Sequence, residues 1–150
     1  EYAFAGTQFS TFSELNYAIE QDNYHLILGA NAYTDNFKEE AIATTQLRNQ
    51  NLFTVGFFGQ HIWDIHQKLA IETGFRLDYN QSYGLFPLPK FALIYKPSLK
   101  FTARLGGGFG YKLPSVFTED VESLAFEAVQ PIDEAINEAE KSYGVNADLT

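Results

Sequence analysis

Cysteine and methionine are both absent from the 150 residues, and tryptophan occurs once. Without cysteine the chain has no disulfide framework and no thiolate metal site. No run approaches the roughly 18 to 20 apolar residues that a membrane-crossing helix needs, and no signal peptide opens the chain. Neither absence excludes a membrane barrel, whose strands need only about ten alternating residues. Lys and Arg are missing from residues 119 to 140, where Glu119, Asp120, Glu122, Glu127, Asp133, Glu134, Glu138 and Glu140 nearly account for the net charge of −9. Nucleic acid is therefore not an expected partner. With no initiator methionine, and an ending in "NADLT" that stops in mid-pattern, the chain reads as an excerpt of something longer.

Aromatic residues are plentiful, with 14 Phe and 9 Tyr. They fall into a pattern of period two. In "KLAIETGFRLDY", residues 68 to 79, Leu69, Ile71, Thr73, Phe75, Leu77 and Tyr79 alternate without exception with Lys68, Ala70, Glu72, Gly74, Arg76 and Asp78. Such alternation predicts a strand with one apolar and one polar face. The rhythm returns from Leu99 to Tyr111, where Leu105, Gly107, Phe109 and Tyr111 oppose Arg104, Gly106, Gly108 and Gly110, and again from Ala139 to Leu149. Weaker copies start at Tyr24 and Pro89, a doubly apolar one at Leu52, and "SELNYAIE" before Gln21 completes about seven strands.

Short links near 20–23, 64–67 and 96–99 alternate with long ones near 38–50, 81–88 and 112–138. In an up-and-down antiparallel sheet this gathers the long loops at one end. Strands of about eleven or twelve residues, tilted by about 40°, cover the roughly 25 Å apolar band of a bilayer. Within the last loop, "PIDEAINEAEK" from Pro131 carries the early proline, early acids and spacing of a short helix.

Alternation alone leaves open which face is inside. A lipocalin-like soluble barrel would wrap Leu69, Ile71, Phe75 and Leu77 around a small apolar ligand, whereas a membrane barrel would turn them to lipid. Charges of both signs on the polar face, Glu72, Arg76 and Asp78 with Lys100 and Arg104, suit a hydrated lumen or a packed plug as well as a soluble exterior, and so carry the least weight. Tyr79 and Tyr111 at one end, with Tyr24, Trp63 and Tyr95 at the other, suit two membrane interfaces. Gly106, Gly108 and Gly110 bare the polar face to the close approach of another protein body. All three observations favour the membrane barrel.

"GGGFGYK" is no phosphate loop: Tyr111 separates Gly110 from Lys112, and Leu113 and Pro114 follow in place of Ser or Thr at a helix start. His25, His61 and His66 have no ligand spacing, no Gly-x-Ser-x-Gly occurs, and no catalytic constellation forms. The chain is therefore expected to be no enzyme, and no cofactor or metal is assigned. The acidic loop is either a solvated surface or an attractor for a cationic or metal-bearing ligand, or for divalent ions bridging to lipopolysaccharide phosphates. Its acids do not form an EF-hand.

"TVGFFGQHIW" (54 to 63), "ETGFRLDYNQSYGLFPLPKFALIYKPS" (72 to 98), "RLGGGFGYKLPSVFTED" (104 to 120) and "EAEKSYGVNADL" (138 to 149) together resemble the barrel of TonB-dependent outer-membrane receptors, particularly of the Bacteroidetes type. The resemblance implies that residues 1–150 are a partial antiparallel up-and-down transmembrane β-barrel, about seven strands of about 22. A separate plug domain would fill that barrel. It further implies a Gram-negative outer-membrane location, lipid and lipopolysaccharide contact, a TonB complex acting through the plug, and import of a scarce nutrient such as a metal chelate, siderophore, cobalamin or glycan. Glu72, Arg76, Asp78, Arg104, Gly106, Gly108, Gly110 and Glu140 are then candidates to face the lumen and plug; for the charged ones, ion pairing between neighbouring strands is the equal alternative. Tyr111, Lys112, Phe117, Glu119, Asp120 and Glu122 are candidates to meet ligand from the extracellular loop.

Overall fold

The computed structural model describes residues 5–41, 47–98, 100–115, 131–133 and 137–150. Its elements are β1 (Gly6–Gln21), β2 (Tyr24–Glu39), β3 (Gln50–His66), β4 (Leu69–Asn80), β5 (Gly84–Ser98), β6 (Phe101–Lys112) and β7 (Glu140–Leu149). Each strand pairs antiparallel with the one before it, so spatial order equals chain order in one seven-stranded sheet. No helix occurs among the described residues. The helix expected from Pro131 has its middle, residues 134–136, outside them; at its flanks Asn137 N–H donates to the Asp133 carbonyl.

Register carries the sequence alternation from strand to strand. Glu72 lies opposite Ile62 and Ala92, Ala92 opposite Gly106, and Gly106 opposite Asn146. On the other side Asp78 lies opposite Gly56, Gly56 opposite Asn31, and Asn31 opposite Glu14. The positions so linked form one continuous face. It is the more enclosed one, and it buries Asn31, Thr54, Glu72, Asp78 and Asn80. One cavity of about 430 Å³ is lined by Phe12 of β1 and Tyr111 of β6 together, so the sheet curls around this inner face.

The outer face has the opposite character. Phe9, Leu15, Phe57, Phe75, Leu105 and Phe109 are all exposed, Leu15 to 78% and Phe75 to 52%. Leaving such side chains in water forfeits about 1.5–3 kcal/mol each, and a handful of them rivals the about 5–15 kcal/mol net stability of a typical domain. The outer face therefore calls for an apolar medium. A soluble barrel with Phe75 and its strand-mates around a ligand has the reverse polarity.

Three expectations are corrected. The link between β4 and β5 spans only 81–83, not 81–88. Asn80 makes it tight: its Oδ1 accepts from Ser82 N and Tyr83 N at 3.0 and 3.1 Å, and Gly84 closes the turn at φ +84°. This is an Asx turn, with glycine where a side chain would be strained. Strand β1 begins at Gly6 and not near Ser13, because β2 is long enough to pair with all of it. Strand β5 begins before Pro87 and Pro89 and not at Pro89.

Those prolines fit for a reason of direction. Lys96 N donates to Lys68 O, one residue ahead of β4, and the ladder of β4 and β5 is regular. In an antiparallel pair donors alternate from side to side, so even residues of β5 donate to β4 and odd ones towards β6. Pro87 and Pro89 thus lack only N–H groups that would have served β6. Accordingly, the pairing of β5 with β6 stops at Lys90 and Gly108, while β4 continues on β5 to Gly84 and β7 on β6 to Lys112.

Candidate functional site

The inner wall carries two ionic clusters. In the first, Glu72 receives Lys90 Nζ at 3.1 Å and Arg104 Nη2 at 2.9 Å. The strands of Glu72 and Arg104 are not adjacent, since β5 lies between them. Arg104 reaches over it because the intervening position opposite Glu72 is the small Ala92. Lys90 also donates to Gln60 Oε1 at 2.8 Å, and its stem covers Gly74, where an added Cβ would collide with it. Two cations thus meet one buried carboxylate, which leaves this part of the wall locally positive.

In the second cluster Arg76 Nε lies 2.7 and 2.9 Å from the two oxygens of Asp78, and Arg76 Nη2 donates to Asn31 Oδ1 at 3.0 Å. The guanidinium spans from β4 over β3 to β2, passing 5.9 Å from the Phe58 ring centroid. Gly56 makes the crossing possible: a Cβ there would run into Asp78 Oδ1, Arg76 Nη2 and Asn31 Oδ1. Tyr111 OH completes the cluster by donating to Asp78 Oδ2 at 2.9 Å.

Tyr111 is therefore not the interfacial aromatic of the outer face that alternation expects. Where β5 and β6 separate, its ring turns inward and stacks on Phe86, with centroids 4.0 Å apart and planes 3° from parallel. At the opposite end Tyr24, Trp63 and Tyr95 keep to the outer face by register, and Tyr24 also packs against His61 at 5.8 Å.

Gly106, Gly108 and Gly110 lie on the inner face, and so does Gly144, opposite Gly108. Unlike Gly29 under Phe58 or Gly74 under Lys90, they have no large side chain over them; a Cβ at Gly144 would meet nothing within 4 Å. The result is a trough of about 440 Å³ bounded by Glu72, Lys90 and Arg104. Glu140 opposes Lys112 at the end of β6 and shares the inner-face parity. Phe117, Glu119, Asp120 and Glu122 lie outside the described residues.

Residues that sequence reading missed belong to the same network. Lys90, Gln60 and Asn31 sit at the inner-face parity, so alternation was the signal for them; Pro89 and the doubly apolar middle of β3 obscured it. At the rim, Arg48 ion-pairs with Glu39, with both side chains 2% exposed. Glu39 Oε2 also accepts from Arg48 N at 2.8 Å, and Gln50 Nε2 donates to Pro114 O at 2.8 Å, tying two loop bases together. Glu39 lies beyond the end of β4, since Asn80 pairs with Thr54 while β3 runs on to Gln50. Its hydrogen bond from Arg48 holds its carboxyl below the ordinary glutamate value. Among the described residues no three His, Asp or Glu side chains gather as a metal site.

With this geometry in place, comparison with known proteins is informative about architecture. The chain superposes on the siderophore receptor PirA from Pseudomonas aeruginosa with a TM-score of 0.70 at 16% identity, over 95% of this chain and 27% of that receptor. It also matches the ferric enterobactin receptor PfeA from Pseudomonas aeruginosa (TM-score 0.60, 14% identity, 75% of this chain and 18% of that one). A third match is the siderophore receptor PirA from Acinetobacter baumannii (0.56, 18%, 71% and 18%). No protein-family model and no curated protein matches the sequence. The class defined by the fold is thus an all-β, antiparallel up-and-down barrel wall of the kind these receptors contain. The chain spans about a quarter of the length of the first of them.

Proposed function

We propose that this chain is part of an outer-membrane receptor that imports a scarce nutrient of the metal-chelate class, with energy relayed by TonB through a plug domain inside the barrel. One observation carries the reading: the two faces are inverted relative to a water-soluble barrel, with Glu72, Asp78 and Asn80 enclosed while Phe57, Phe75 and Leu105 are exposed. A lumen filled by a plug accounts for the first set, and a bilayer for the second. The receptors it resembles in shape are named for siderophores, which supports a ferric chelate as cargo.

On this reading Glu72, Arg76, Asp78, Arg104, Gly106, Gly108, Gly110 and Glu140 face the plug, and Gly144 and Lys90 join them. Tyr111 belongs with this inner set, while Lys112 stands where the wall passes into the long external loop. The wall itself supplies no chemistry; it supplies a charged, rigid surface against which a plug can rearrange.

The test is uptake. Cells bearing the native full-length chain, starved of iron, should accumulate labelled ferric siderophore, and should lose that ability when TonB is deleted. A chain recovered from the aqueous fraction as a monodisperse monomer without detergent would overturn the reading.

A further inference from the structure

Pro87 and Pro89 leave β5 and β6 unpaired beyond Lys90 and Gly108, and the space between them is an apolar cleft of about 390 Å³. Phe75, Pro87, Pro89, Phe109, Tyr111 and Lys141 line it. Phe75 and Phe109 belong to the outer face and are 52% and 61% exposed, so the cleft is reached from that side. The inward turn of Tyr111 onto Phe86 removes the ring that would otherwise cover this part of the outer face.

Lys141 gives the cleft a direction. It lies one residue into β7, opposite Tyr111, at the end of the wall that carries the long 113–139 connection. Among the described residues it has neither an ion-pair nor a hydrogen-bond partner. Carbon walls below a single unpaired ammonium at head-group height form an amphipathic site, complementary to an acyl chain that ends in an anionic group.

We infer that this cleft holds an acyl chain of a phosphorylated outer-leaflet glycolipid, the lipid A portion of lipopolysaccharide, with its phosphate on Lys141. The inference rests on the outer-membrane part of the proposed function. The opening is fixed by covalent structure, since no rotation restores an N–H to proline. Bound lipid would therefore seal the wall where hydrogen bonds do not.

The experiment uses the native full-length chain in detergent, read by native mass spectrometry after titration with hexa-acylated diphosphoryl lipid A, its dephosphorylated form, or phosphatidylethanolamine. Wild type should prefer the diphosphoryl lipid by about tenfold, the worth of one charge-assisted hydrogen bond. Lys141→Gln should lose that preference and Lys141→Arg should keep it. Pro87→Val with Pro89→Val, which returns the missing donors so that the ladder can close, should lower retention of every acylated lipid; if that pair fails to fold, the Lys141 variants alone decide. Equal retention of phosphorylated and dephosphorylated lipid by wild type, an unchanged preference in Lys141→Gln, or equal binding of phosphatidylethanolamine would overturn the inference. Outer-membrane fractionation of the same cells separates the two failures. A chain found there without lipid preference defeats only the lipid site, and a chain found elsewhere defeats the import reading itself.

Discussion

The Tyr111 hydroxyl donates to Asp78 Oδ2 over 2.9 Å although β5 lies between their strands. This bond crosses the region where β5 and β6 are unpaired, so a side chain does there what the backbone does elsewhere. Tyr111→Phe retains the stack on Phe86 and removes one hydrogen bond to a buried carboxylate, a loss of about 1.5–3 kcal/mol. The temperature at which the folded barrel loses its compact electrophoretic form should fall. An unchanged transition would mean that the contact contributes nothing.

Two inner-face glycines should respond oppositely to substitution. Gly56→Val forces Arg76 away from Asn31 and should cost about 1–3 kcal/mol, as overpacking does. Gly144→Ala adds a methyl to open space and should stay within about 0.5 kcal/mol of wild type. Equal yields of assembled protein for both would refute the crowding at Gly56.

Charge on the two faces provides a further contrast. Leu105→Arg puts a cation on the outer face, at a cost of about 2–4 kcal/mol if it lies near the bilayer midplane. Assembly into outer membranes should drop sharply. Arg104→Gln, one residue away on the inner face, weakens an ion pair that is partly open to solvent, where such pairs are worth about 0–1 kcal/mol. Protease protection in isolated membranes compares the two, and a well-assembled Leu105→Arg protein would argue that this face meets water.

The rim pair responds to acid. Arg48 lowers the Glu39 carboxyl below its unfolded value. The stability it confers is therefore complete above the ordinary glutamate range, near pH 4.3, and is lost as pH falls through the lower folded value. Proteolysis at the base of the 40–49 connection should accelerate below about pH 4 in wild type. In Arg48→Ala it should already be fast at neutral pH and less dependent on acid. Identical pH profiles would show that the pair does not hold the loop base.

The strands were legible because period two survives wherever one face is apolar: Leu69 to Tyr79 and Phe101 to Phe109 sit as their alternation dictates. Proline and local chemistry obscured the rest. Asn80 ahead of Ser82 and Gly84 signalled an Asx turn, yet Pro87 read more strongly as loop and Pro89 as the first residue of a strand. Whether a proline breaks a strand depends on which neighbour its N–H would have served, and that depends on pairing partners absent from the local sequence. Tyr111 left its expected face for the same reason, since the departure follows from a ladder that ends three residues earlier on the same strand. Lys90 and Gln60 joined the Glu72 cluster through register, a property of strand pairs and not of single strands.

Pro87 and Pro89 also make the wall mechanically uneven. Most of the sheet resists separation by hydrogen bonds loaded along whole strands, but between β5 and β6 the load falls on the shorter stretch from Lys90 to Tyr95, on the Ser98–Phe101 pair, and on the Arg104–Glu72 and Tyr111–Asp78 contacts that reach past β5. A pull applied across the sheet would open it first along that line, as a tear starts at a notch. β6 and β7 would then come away together as one hairpin and leave β1 to β5 intact.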